Sequence, residues 1–428
     1  MKPKLKPIKT PLYRHDFRRM LFSILGMLGF ASLLLTASSS SGYVGALSRA
    51  PSYGEATLEQ PAIATGVLYL PVIQREGFAK DTPVPVPTPV PTPVQSPITE
   101  TFLGIWISSS ELAKLPTTGP AWDQLLSKAQ EPGGNPDLSN QNDVNNILYL
   151  AKALVYARTG DPALRDQVEN ALEFIVSKNT EAGGTTLALG RKLLAYVIAA
   201  DLINLPDKNP DLDVKFRARL QELLSKPLSG SDDTQRTLQG THEGRANNWG
   251  THAGASRAAV AVYLGDTAEL ERTAQVFRGF LGDYNAYHGF KFDDDLSWQC
   301  DPAIPVGINP KGCSKGGHSI DGALPEEMRR GGKFRWPPKK TNYPWGGLQG
   351  ALAQAEILHR AGYPAWEWED QALLRAAQFL YGIGWDPEGD DEWQPWLINH
   401  AYGTHYPASL PAKPGKNMGW TDWTHSKP

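Results

Sequence analysis

Two segments about eighty residues apart carry the side chains with the most chemistry in them. The first is Arg245 to His252, RANNWGTH; the second is Asp321 to Gly331, DGALPEEMRRG, with a phenol following at Tyr343. Together they gather amide, guanidinium, imidazole and phenol, the groups needed to handle an acidic sugar. Neither holds a spaced Cys/His metal set, a glycine loop for phosphate or a nucleophile elbow. The chemistry they suit is abstraction of a proton beside a carboxylate, without metal or cofactor.

A helix beginning near Asn247 stacks Asn248 and His252 one turn apart on a single face. Asn247 then suits the capping position, and Asn248 is open to capping or to substrate. In the second segment a helix set in a wall must turn one acid–arginine set away from solvent. That favours an arginine oriented by Glu326 and poised for bidentate binding of a carboxylate, and Arg330, just ahead of Gly331-Gly332, is the candidate. The phenol of Tyr343 ordinarily titrates near pH ~10, so it needs the field of a cation such as Arg330 to serve as a base. Arg245, Trp249, Glu326, Trp336 and Trp345 are candidate substrate contacts, the last two for stacking on sugar rings. Asp293, Asp294 and Asp295 lack the spaced glycine and further ligands of a calcium loop and read as a polar loop.

These residues need rigid elements behind them. Asp143–Thr159, Thr185–Leu205, Leu212–Lys226, Asn247–Leu264 and Trp345–Arg360 carry apolar residues at three- and four-residue spacing over lengths too great for strands. Three strings, VYARTGDPALRDQVENALEFI, VYLGDTAELERTAQVFRGFL and LHRAGYPAWEWEDQALLRAAQFL, share one design. An apolar helix ends at Gly160, Gly265 or Gly362, a short turn follows, and a charged amphipathic helix runs back. Hairpins of this kind predict an all-α fold, an incomplete α/α toroid of inner and outer helices, over residues 101–428.

The formal net charge of −3 gives no footprint for nucleic acid, so an acidic ligand must be met by local cations. Residues 1–41 read as a signal peptide or membrane anchor: a basic front is followed by the uncharged run Met20 to Ala37, long for a signal-peptide core and just long enough to span a bilayer, which leaves cleavage near the serines and retention as an anchor both open. Either way the rest of the chain is expected to be exported, to an extracellular or cell-surface location. Residues 42–80 form a low-order segment, and 81–97 a Pro-rich spacer extending about 3 Å per residue. In an oxidising compartment Cys300 and Cys313, the only two cysteines, are expected to pair as a disulfide.

From about Leu103 to His425 the chain resembles the alginate lyase family of polysaccharide lyases. The likeness rests on GIWISSSELAKLP, LAKALVYARTGD, the Arg-x-Asn-Asn segment, DG-x-x-P-x-E-x-x-R-G and INHAYGTHYP. It implies an α/α-toroid domain and β-elimination on an acidic polysaccharide. It places on Asn248 and Arg330 the neutralisation of the uronate carboxylate, and on a tyrosine after the arginine the acid/base role. The family's histidine is replaced by Trp249, the nearest imidazole being His252, and the tyrosine falls on Tyr343 only with an insertion in the loop. Either His252 or Tyr343 would take the C5 proton. An inverting glycoside hydrolase using Asp321 with Glu326 or Glu327, at about 6.5 to 9.5 Å, and a non-catalytic polysaccharide-binding protein are the alternatives.

Overall fold

The computed structural model describes residues 102–230 and 235–426. The signal or anchor segment, the apolar run 20–37, the low-order segment and the spacer lie outside them. Among the described residues no helix is long and apolar enough to cross a membrane.

After two opening helices, α1 (Ser109–Leu112) and α2 (Pro120–Gln130), the chain runs as hairpins. The first joins α3 (Asn145–Thr159) to α4 (Pro162–Ser177). Gly160 takes the left-handed conformation that stops α3, and Asp161 accepts the Ala163 N–H to start α4, with Pro162 in the first turn. The second runs from α5 (Thr186–Leu202) through α6 (Leu205–Lys208) to α7 (Pro210–Ser225). A short α8 (Leu238–Gly244) precedes α9 (Asn248–Leu264), which turns at Gly265 and Asp266 into α10 (Thr267–Leu281).

Beyond a long loop come α11 (Pro325–Met328), α12 (Tyr343–Arg360), α13 (Trp368–Gly382), α14 (Gln394–Tyr402) and α15 (Thr421–Thr424). The three glycine-ended hairpins and the all-α class are as the sequence predicts. The helix expected from Trp345 begins two residues earlier, because Pro344 fits in a first turn where its missing N–H costs nothing.

Helices α3, α5, α9, α12 and α14 are the inner members. They run parallel, as their contacts show. Tyr149 meets Tyr196; Gly190 lies against Ala253; the Ser256 hydroxyl donates to the Gly190 carbonyl at 2.7 Å; Gly350 lies against His252; and Gln394 Nε2 donates to the Trp345 carbonyl at 3.3 Å. Glycine is needed at Gly190 and Gly350, since a Cβ there would collide with the backbone of α9. Helices α3, α5, α9 and α12 are buried almost all round and α14 only at Gln394, Pro395, Leu397 and Ile398, whereas α4 shows the outer pattern, covering only Leu164, Val168, Ala171, Leu172 and Ile175.

Two devices complete the ring. Asp201, at the end of α5, accepts the backbone N–H groups of Leu103, Gly104 and Ile105, which fixes the start of the domain. At the other end of the sequence, residues 411–425 close the interval between α3 and α12. The Lys416 carbonyl accepts from Asn146 Nδ2 and Lys192 Nζ, Asn417 Nδ2 donates to the Gln349 carbonyl, and the Trp423 indole donates to the Pro116 carbonyl.

The loop between α10 and α11 contains the Cys300–Cys313 disulfide, with Cα atoms 5.8 Å apart. The only sheet among the described residues, Ser314–Lys315 against His318–Ser319, follows it. Buried Asn309 ties this loop together: its side chain accepts the Cys300 N–H and donates to the carbonyls of Trp298 and Ile320.

Gly190→Ala should lower stability by about 1–3 kcal/mol, since its methyl group would meet the Ala253 backbone nitrogen at 2.8 Å and neither helix backbone can yield cheaply. The midpoint of urea unfolding measures it, and an unchanged midpoint would mean that α5 and α9 are not in this register. Replacing both cysteines by serine should cost about 3 kcal/mol by the same assay, from the loop entropy returned to the unfolded chain.

Candidate active site

The parallel inner helices bring their N-terminal ends to one mouth of the ring, where the partial positive charge of each favours an anion. Helix α9 opens there. Asn247 is its cap, accepting the Trp249 N–H at 3.1 Å, and Asn248 is its first residue, 8% exposed. The Asn248 backbone N–H donates to Glu327 Oε1 on α11, so the two segments picked out in the sequence, 79 residues apart along the chain, meet directly. Glu327 is fully buried, and burial pushes its carboxyl up to about 7 against the opposing pull of the Asn248 N–H and of Arg330.

Arg330 is exposed, and its guanidinium lies 4.3 Å from the ring centroid of Tyr343, the first residue of α12. The arginine oriented by Glu326 is its neighbour. Arg329 donates to Glu326 at 2.8 Å and pairs with Asp293 at 3.0 Å. The expectation that Glu326 orients Arg330 is therefore corrected. The α-turn Pro325–Met328 gives way to a 3-10 turn at Arg329–Gly331, and the tighter winding separates the two guanidinium groups.

His252 lies one turn beyond Asn248, as the spacing predicts, but an inner helix carries it inward. It is wholly buried, neither ring nitrogen has a hydrogen-bond partner, and burial with the nearby cations Arg191, Lys192 and Lys416 holds it neutral. It faces the interior behind the mouth.

The candidate substrate contacts divide. Arg245 lies over the ring of Trp249, 4.6 Å from its centroid, and both are partly exposed beside Asn248. Trp345 is not a stacking surface. It is 3% exposed and its indole donates to the Trp385 carbonyl at 2.7 Å, because the first turn of an inner helix points into the core. Trp336 is exposed on its loop but stacked on His318 with ring centroids 4.4 Å apart, and it borders a separate cavity with Asp321 and Arg375. Asp321 accepts from Arg375 at 2.5 Å and from the Gly312 N–H at 2.8 Å. No cluster of three or more metal-ligating side chains occurs among the described residues.

The mouth also holds groups that sequence reasoning passed over. Lys192 donates to the carbonyls of Asp143 and Lys416, and burial lowers it to about 7. Gln349 and Gln394 donate to Asp391, whose carboxyl burial raises to about 7. Asp390 pairs with Lys416 at 3.5 Å. Arg191, beside Lys192, is within electrostatic range of Glu327, Asp390 and Asp391. The legible signal was Arg191-Lys192 itself, two cations inside the otherwise apolar TLALGRKLLAYVIAADL.

Residues 141–285 match the model of the alginate lyase family. The match runs from just before α3 to just past α10, and so takes in Arg191, Lys192, Asn248 and His252; Glu327, Arg330 and Tyr343 lie beyond it. It bears out the resemblance read from the sequence and supports polysaccharide lyase activity in general, with a polysaccharide as substrate. No curated protein matches the chain.

The clasp between Asn248 and Glu327 can be tested by its chemistry. Glu327→Ala should cost about 1–3 kcal/mol by leaving the Asn248 N–H unpaired, whereas Glu327→Gln keeps an acceptor and should cost less. In the native state the Glu327 carboxyl titrates near 7, above its unfolded value, so its contribution to stability is complete at low pH and is lost as pH rises toward 7. The melting temperature of Glu327→Gln should therefore improve relative to the parent between pH 4 and pH 8. A difference that stays constant over that range would show that the carboxyl titrates normally.

Proposed function

We propose that this domain is a polysaccharide lyase that cleaves a uronate-containing, alginate-like polysaccharide by β-elimination. The observation that carries the reading is the clasp: it brings an amide, a guanidinium and a phenol, supplied by two distant segments, to the mouth where inner helix N-termini converge.

Removing the C5 proton of a uronate builds negative charge on its carboxylate, and preorganised donors lower that barrier. Asn248, held by the Glu327 bond, is one such donor. Tyr343, with the Arg330 guanidinium over its ring, is the acid/base: as phenolate it takes the C5 proton and then returns a proton to the departing glycosidic oxygen. His252 is not given the proton, since a side chain enclosed by α5 and α12 does not touch a polymer at the mouth. Arg245 and Trp249 flank the site as a cationic and aromatic rim. The hydrolase alternative is disfavoured because Asp321 and Glu326 are each engaged by an arginine, and Glu327 is buried in its bond to the Asn248 N–H. The basic front and apolar run support export of the domain, with polymer met outside the cell.

A lyase leaves a C4–C5 double bond conjugated to the carboxylate, seen as near-ultraviolet absorbance, where a hydrolase leaves only new reducing ends. Incubating the domain with a panel of uronate polymers should produce that absorbance. Tyr343→Phe should lower turnover by about 10² to 10⁴, the usual loss for a general acid/base, and Arg330→Ala should be comparably damaging. Reducing ends without absorbance would instead identify a hydrolase, and binding without turnover a polysaccharide-binding protein.

A further inference from the structure

Arg191 differs from the other cations built into this ring. Lys192 is bonded to two carbonyls, Arg219 to Glu181 and Glu222, Arg257 to Glu243 and Glu269, and Arg375 to Asp321. Arg191 makes no hydrogen bond or ion pair with any described residue, and its Nε is enclosed without an acceptor. The three carboxyls in its range are engaged elsewhere: Glu327 with the Asn248 N–H, Asp390 with Lys416, and Asp391 with Gln349 and Gln394. The side chain is nonetheless partly exposed, so a ligand can reach it.

A planar cation taken partly out of water without a partner is disfavoured unless an anion completes it, and the anion that matches a guanidinium fork is a carboxylate. Unpartnered amide oxygens surround this region too, at Asn146 on α3 and Gln349 on α12, both tied to the same 416–417 segment.

Resting on the lyase reading for the identity of the sugar, we propose that Arg191 is the residue that binds the uronate carboxylate, as a bidentate pair beside Asn248. Arg330 is thereby left to act on Tyr343. The cleft then selects acidic sugars through α5, and a methyl-esterified uronate gains nothing from it.

The test is calorimetric binding of uronate oligosaccharides and their methyl esters to the full chain carrying Tyr343→Phe, so that turnover does not intrude. Adding Arg191→Gln should weaken binding of the acid by roughly tenfold or more, the range for a hydrogen bond to a charged group, and leave the ester unchanged. Arg191→Lys should recover part of the loss. The melting temperature of Arg191→Gln should be unchanged or raised, because an unpaired charge is removed.

Unaltered binding of the acid overturns the proposal, as does equal weakening of acid and ester with a lowered melting temperature, which marks a structural role. Failure of the parent to bind any uronate also overturns it. Arg191-dependent binding without unsaturated product from any polymer keeps this assignment and sinks the lyase. Unsaturated product with Arg191→Gln binding as the parent does the reverse.

Discussion

The hydrogen bond from the Asn248 backbone to Glu327 is the contact on which the rest of the mouth depends. One partner begins an inner helix; the other sits on a single turn hung between a disulfide-stapled loop and a basic loop. Leu324 and Met328 bury the apolar side of that turn in the core, and the bond to Asn248 sets its polar side. The bond fixes α11 against α9, and with α11 come Arg329, anchored through Glu326 and Asp293, and Arg330, delivered to the start of α12. A buried carboxyl with one backbone donor is an expensive clasp, and its raised proton affinity reports that expense. It links the electrostatics of the site to the stability of the wall that carries it.

The close approach of the inner helices is what makes a common mouth. Gly190 and Gly350 let α5, α9 and α12 pack with backbones almost touching, so their first turns end at one level and their dipoles point the same way. A larger residue at either place would splay the helices and pull Asn248 away from α12. The stripe of small residues in Asn247–Leu264 therefore does more than fill space.

Much of this was legible in the sequence, for identifiable reasons. The hairpins could be read because a left-handed glycine followed by a capping aspartate is a local signal needing no tertiary knowledge. Asn247 as cap and Tyr343 at a helix mouth followed from the same kind of reasoning. What escaped depended on direction. His252 has the expected register, yet a helix buried all round turns every register inward, and periodicity alone does not distinguish that from a helix with one wet face. Trp345 failed as a stacking surface for the same reason. Arg329 took the partner expected of Arg330 because a change from α to 3-10 winding, invisible in residue types, decides which of two adjacent arginines meets Glu326. Lys416 and Gln349 joined the site only because segments far apart in the sequence meet across the ring.

That meeting also orders events in time. Asn146 and Lys192 bond to the carbonyl of Lys416, residues 270 and 224 positions away, so the mouth is assembled from the beginning and the end of the domain. Contacts of such long sequence separation form late, after the hairpins between them. Residues as far as Lys416 must therefore be in place before the cleft is complete, and until then Lys192 has only the Asp143 carbonyl to bond.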